Sequence, residues 1–220
     1  MVTAATVIHQ TVKNASMMFV QAATARKIKN EKDFIISYME HITNLNRQRN
    51  EQIIIQAEEL NNIAKEKGLI LMVGHLLQYH PIFIKVRSLV SLGKLGKLSY
   101  IYSNRLSLGK VRSEEDVIWS FAPHDISMIL SLAGQLPEFV SAKSISTVQK
   151  NLADIATIHL DFKSGLKSDV SVSWFNANKE VKLEVYGSNG ILIFDDTKTW
   201  NEKLAIHPYK VMYKNKEIEI

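Results

Sequence analysis

The sequence predicts an α+β protein, and three observations carry that prediction. Helix-type spacing dominates as far as Gly134, strand-type alternation takes over after Pro137, and the links between the later strands are short enough to join antiparallel neighbours.

Residues 51 to 67 set Ile53, Ala57, Leu60 and Ala64 at steps of four, three and four, which lines one face of a helix, and Gly68 supplies the stop. Leu69 to Val73 is a wholly apolar run between Gly68 and Gly74, the pattern of a strand buried on both faces as in a parallel sheet. Pro81 opens a second helix through Leu92, closed by Gly93, because proline is pre-organised for a first turn and glycine for the residue after the last. Leu98 to Leu108 is strand-like, with Tyr100, Tyr102 and Asn104 on one face and Ile101, Ser103 and Arg105 on the other. A polar loop, Lys110 to Asp116, leads to a helix over Pro123 to Leu132 that Gly134 ends.

Five strands follow: Phe139 to Ile145, Asp154 to Phe162, Lys167 to Trp174, Val181 to Tyr186 and Ile191 to Phe194. Lys163-Ser164-Gly165 and Gly187-Ser188-Asn189-Gly190 are links that predict antiparallel hairpins. Ala156, Ile158, Leu160 and Phe162 alternate with Thr157, His159 and Asp161, so one face packs on a core. Before residue 50, Met1 to Val12 suggests a strand and the start of a helix, and Phe34 to Ile42 has helix-compatible spacing.

The 220 residues are 46% hydrophobic and 22% charged, the balance of a globular protein with a substantial core. The absence of cysteine excludes disulfides and thiolate metal sites and suits a reducing compartment. No stretch approaches the roughly 20 apolar residues of a membrane span, and the first residues lack a signal-peptide pattern, so the expected location is cytoplasmic with no membrane partner. The net charge of +5 is dispersed, as in Ala64-Lys65-Glu66-Lys67, which argues against nucleic acid despite the basic segment Arg26-Lys27-Ile28-Lys29. The seven histidines show no metal-ligand spacing, and no metal site is expected.

Two clusters carry candidate chemistry. Gly74-His75 ends the apolar run, where ligands bind in open parallel sheets, although a structural role for His75 is an equal alternative. Trp119-Ser120-Phe121-Ala122-Pro123-His124-Asp125 places His124 at the predicted start of a helix, where the helix dipole would favour a neutral, proton-accepting imidazole. A neutral histidine is what alcohol oxidation requires of a general base, while simple helix capping by His124 and Asp125 explains the segment equally well. Trp174, at a strand end, fits either core packing or contact with a sugar ring.

Taken in order, several motifs form a pattern. They are Ala57-Glu58-Glu59-Leu60, Leu71-Met72-Val73-Gly74-His75 with His80-Pro81, Tyr102-Ser103-Asn104-Arg105-Leu106, Ala122-Pro123-His124-Asp125-Ile126, and Val185-Tyr186-Gly187-Ser188-Asn189-Gly190 with Phe194-Asp195-Asp196. Over roughly residues 55 to 205 the chain resembles the carboxy-terminal part of the glucose-fructose oxidoreductase, inositol dehydrogenase and MocA family, most closely its nucleotide-sugar branch. The resemblance implies a large, mostly antiparallel open sheet with helices on one face, preceded by a remnant of a Rossmann-type α/β domain. In these terms residues 1–74 would be the partial, degenerate Rossmann remnant, with 23–50 unassigned, and 75–220 the substrate-binding and oligomerisation domain.

The resemblance further implies an oxidoreductase dependent on NAD or NADP and acting on a hydroxyl of a sugar or nucleotide-linked sugar. His124 would be the catalytic acid/base, Asn104, Arg105 and Trp174 would face substrate, and His75 would meet the cofactor. The open sheet face would join copies of the chain in a homo-oligomer.

Two departures limit that expectation. The first 67 residues contain no glycine, so the Gly-x-Gly-x-x-Gly turn that lets backbone amides reach a pyrophosphate is missing. The family's catalytic lysine would fall at Gln48, or at Ala22 if residues 23–50 are an insertion. Gln78 also stands where arginine is frequent in the family, and Ser120 where aspartate is. The expected outcome is a truncated chain inactive alone, the alternative being a non-catalytic sugar-binding or assembly subunit.

Overall fold

The computed structural model describes residues 47–109, 111–113, 115–148, 152–209, 212–214 and 217–219. The readings for Met1 to Val12, Phe34 to Ile42 and Ala22 lie outside those residues. The chain divides into two compact units, Met1–His75 and Leu76–Ile220.

In the first unit, helix α1 spans Arg47–Glu66. It ends in a turn in which the Leu69 amide donates to the Ala64 carbonyl at 2.8 Å, with Gly68 at φ 62°. The strand expected over Leu69 to Val73 does not form: the segment is irregular, with Leu69, Ile70 and Met72 exposed. Among the described residues no neighbouring strand pairs with it, and an apolar run without sheet partners has no ladder to hold it extended.

The second unit opens with a 3₁₀ turn, Leu76–Tyr79, and helix α2, Pro81–Ser91. His80 caps α2, its Nδ1 accepting from the Ile82 amide at 3.2 Å. Strand β1, Leu98–Leu108, leads to helix α3, Val117–Ala133. Strands β2 (Phe139–Ile145), β3 (Ile155–Asp161), β4 (Lys167–Ser173), β5 (Phe175–Gly187), β6 (Gly190–Asp195) and β7 (Leu204–Pro208) follow. With β1 they make a seven-stranded open sheet in the order β2-β3-β4-β1-β5-β6-β7. A separate hairpin pairs β8 (Met212–Lys214) with β9 (Glu217–Glu219).

The sheet is antiparallel except where β1 runs parallel to β4. Both predicted hairpins, β3–β4 and β5–β6, are present. The β5–β6 turn admits little else, because a Cβ at Gly187 would collide with the Leu95 carbonyl. Helix α3 packs across β1, β3 and β4. The core therefore lies on that face, where Ile101, Ile158, Leu160, Val170, Val172 and Ile126 are fully buried.

Helix α3 starts earlier than the sequence reading placed it. Asp116 is its cap, accepting from the Trp119 amide at 3.0 Å, and Pro123 lies inside the helix rather than at its first turn. A carboxylate cap before an apolar run is the stronger start signal, and the helix continues through proline although it loses the bond to the Trp119 carbonyl and crowds that carbonyl with its ring.

Candidate functional site

Strand β1 and helix α3 build the site. Period-two alternation turns Ser103 and Arg105 of β1 toward α3, and both reach Asp125. Arg105 clamps that carboxylate with Nε to Oδ2 at 2.6 Å and Nη2 to Oδ1 at 3.3 Å, while Ser103 Oγ donates to Oδ1 at 2.7 Å. Asp125 is only 1% exposed, so these donors are its compensation for leaving water.

His124 neighbours this clamp on α3 and is partly buried. Two turns inside the helix, it is beyond the reach of the amino-terminal dipole that the sequence reading invoked. Its pKa is nonetheless lowered below the ordinary histidine value, first by burial and second by the Arg105 guanidinium, with Asp125 opposing. The neutral imidazole follows from burial and a neighbouring cation. A partly buried neutral histidine beside an ordered ion pair is equipped to accept a proton from a hydroxyl.

Asn104 does not join this group. It points to the opposite face of the sheet, where its Nδ2 donates to Glu180 at 2.7 Å. The tyrosines of β1 share that open face: Tyr100 stacks near Tyr102 and donates to Asp169 at 2.5 Å. Burial and that hydrogen bond hold Tyr100 well above the usual phenol range. Tyr186 donates to Glu184, which pushes its phenol up to about 12. His159 bridges two carboxylates there, Nδ1 lying 2.7 Å from Asp169 and Nε2 3.2 Å from Asp161.

Trp174 lies in the core rather than with His124 and Arg105. It is completely buried, donates from Nε1 to Asp154 at 2.6 Å and meets Phe121 edge-on at 6.4 Å between ring centres. A side chain with no exposed surface offers none to a sugar ring. His75 is buried and follows the irregular segment, its amide donating to the Val73 carbonyl at 2.9 Å, so the strand-end argument for it falls.

The described residues also do not fit a dinucleotide. Gly74 stands in open space with no group close enough to need a missing side chain, and no two of the nine glycines stand two residues apart, as the first pair of the phosphate-binding turn does. Among the described residues, no group of three or more acidic or histidine side chains could hold a metal ion, and no helix is long and apolar enough to cross a membrane.

The sequence reading missed a second polar group at His124. Ser127 Oγ donates to the His124 carbonyl at 2.8 Å and accepts from Gln78, which in turn accepts from Arg87. The helical spacing of His124 and Ser127 was visible, but the pairing across the chain to Gln78 was not.

Residues 83–193, half of the chain, match the GFO/IDH/MocA C-terminal domain. The chain belongs to that family of oxidoreductases. It is 30% identical over 119 residues to UDP-N-acetylglucosamine 3-dehydrogenase of Acidithiobacillus ferrooxidans, covering 54% of this chain and 36% of that one. A solved structure of that organism's enzyme superposes with a TM-score of 0.60 at 26% identity, over 70% of this chain and 48% of the other. An inositol dehydrogenase homologue from Azotobacter vinelandii, solved with NADH and myo-inositol, shares the fold with a TM-score of 0.63 at 18% identity, over 74% and 45%. The chain thus spans about a third of its curated relative and just under half of these solved structures.

Proposed function

We propose that the chain supplies the substrate-holding and proton-accepting part of an oxidoreductase acting on a hydroxyl of a sugar or nucleotide-linked sugar. One observation carries this reading: a histidine kept neutral by burial and Arg105, on a helix whose next residue is locked by Arg105 and Ser103. Oxidising a carbinol removes a proton from oxygen as the hydride leaves carbon, and His124 is the group here able to take that proton. Arg105, fixed in orientation by Asp125, is suited to steady negative charge developing on the same oxygen.

A nicotinamide, NAD or NADP, supplies the hydride acceptor in this chemistry. The described residues do not fit it, so only the proton is assigned here, and the chain alone is proposed to be inactive. We assign the open face, with Asn104, Tyr100 and Tyr102, to contact between copies of the chain. The lack of a glycine turn equally favours a second reading, a sugar-binding or assembly subunit with no catalysis of its own.

Calorimetric titration with UDP-N-acetylglucosamine, beside NADH and NADPH fluorescence titrations, tests these readings. Nucleotide-sugar binding weakened roughly tenfold or more in Arg105→Ala, without nicotinamide binding, is the expected result. Absence of any nucleotide-sugar binding contradicts the substrate assignment, and micromolar NADH binding contradicts the cofactor statement. Reduction of NAD on adding a separate cofactor-binding domain that is inactive alone, lost in His124→Ala, separates catalysis from mere sugar binding.

A further inference from the structure

Pro123 has no amide proton, so the backbone ladder of α3 is broken in the turn that delivers His124. A relay of side chains stands at the same turn. Arg87 Nη1 of α2 donates to Gln78 Oε1 at 3.3 Å, Gln78 Nε2 donates to Ser127 Oγ at 3.2 Å, and Ser127 Oγ donates to the His124 carbonyl at 2.8 Å. Gln78 and Ser127 are 7% and 6% exposed, so water does not substitute freely for these bonds.

The polarity of the relay selects its middle member. Arg87 can only donate, so residue 78 must accept from it. Ser127 has committed its single proton to the His124 carbonyl, so residue 78 must donate to the hydroxyl oxygen. An ionised glutamate only accepts, and lysine or arginine only donates; a carboxamide does both at once. Gln78 meets both demands from the 3₁₀ turn Leu76–Tyr79.

We propose that Gln78 is a positioning residue for His124, acting through the Ser127 hydroxyl. By fixing the carbonyl of residue 124 the relay fixes how deeply its imidazole is buried and how near it stands to Arg105. The meaning of this for catalysis rests on His124 being the proton acceptor; the relay itself does not. Among the described residues, the charged groups that act on His124 include Arg105 from β1 and Asp125 on its own helix, with Arg87 of α2 at the far end of the relay.

Nuclear magnetic resonance titration of the His124 imidazole in the full chain, its signal assigned by loss in His124→Gln, tests the proposal. Gln78→Met is neutral and near in size but cannot relay, Ser127→Ala lacks the hydroxyl, and Ser127→Thr keeps it. The expected result is an upward shift of the His124 midpoint toward the ordinary histidine range in Gln78→Met and Ser127→Ala, with the wild-type midpoint retained in Ser127→Thr. An unchanged midpoint in Gln78→Met or in Ser127→Ala, or an equal shift in Ser127→Thr, overturns it. If Gln78→Met does not fold, Gln78→Leu, which likewise cannot relay, takes its place. The readout needs no ligand, so it stands apart from failure of the sugar-binding reading.

Discussion

The two faces of the central strand differ in what holds them. On the face covered by α3, Ser103 and Arg105 meet a nearly fully buried carboxylate, and Trp174 lies in the core on Asp154. On the open face, Asn104, Tyr100 and Tyr102 sit among partly exposed acids, lysines and a histidine. One residue step along β1 crosses from one regime to the other. Polar groups on the covered face have few substitutes for their partners, whereas half-exposed pairs of the open face such as Lys167 with Asp161 can exchange them for water or a second protein surface; Asn104, itself buried, is the exception there.

Breaking the covered face is expected to cost most. Trp174→Ala removes a fully buried indole and strips Asp154 of a donor, and urea denaturation is expected to show a loss of about 3–5 kcal/mol. A loss under about 1 kcal/mol would mean that Trp174 lies at an accessible surface after all.

A smaller effect is expected from pH. Burial and Arg105 lower the His124 value in the folded chain, while the unfolded chain keeps the ordinary value of 6.5. Between those two values the unfolded chain binds more protons, so stability rises with pH across that window and is lost as pH falls from 6.5 toward the native value. Thermal melts of His124→Gln against wild type are expected to show a flatter dependence in that window, and identical slopes would place His124 in water.

The open face should respond least. Lys167 is 60% exposed and pairs with Asp161 at 2.9 Å, a contact that lowers the Asp161 pKa mainly through its hydrogen bond. Solvent and salt screen such a pair, so Lys167→Ala is expected to change stability by less than about 1 kcal/mol in the same urea experiment.

Local pattern revealed much of this arrangement. The bounds of β1 and β2 were readable from alternation and flanking turns, and both hairpins from short glycine-containing links. Pro123 misled, since a proline marks a helix start only when no better cap precedes it, and Asp116 does. Leu69 to Val73 misled because an apolar run states what a strand needs, not whether neighbouring strands are there to pair with it.

The site was legible in part. Alternation alone already set Asn104 and Arg105 on opposite faces, yet the family resemblance grouped them, and the local rule was the better guide. The Asn104–Glu180 and Gln78–Ser127 pairs join residues 76 and 49 positions apart, so no local spacing announces them. The central position of β1, parallel to β4, is likewise a property of strand order rather than of any one segment.

Chemical-shift mapping of the chain with UDP-N-acetylglucosamine tests the central assignment most directly, because residues one step apart report on opposite faces. The assignment of substrate to the α3 side predicts that His124 and the Arg105 side chain shift on addition of the nucleotide sugar, while the carboxamide of Asn104 and the ring of Tyr102 stay in place. Shifts confined to Asn104 and Tyr102, with His124 unmoved, would contradict it.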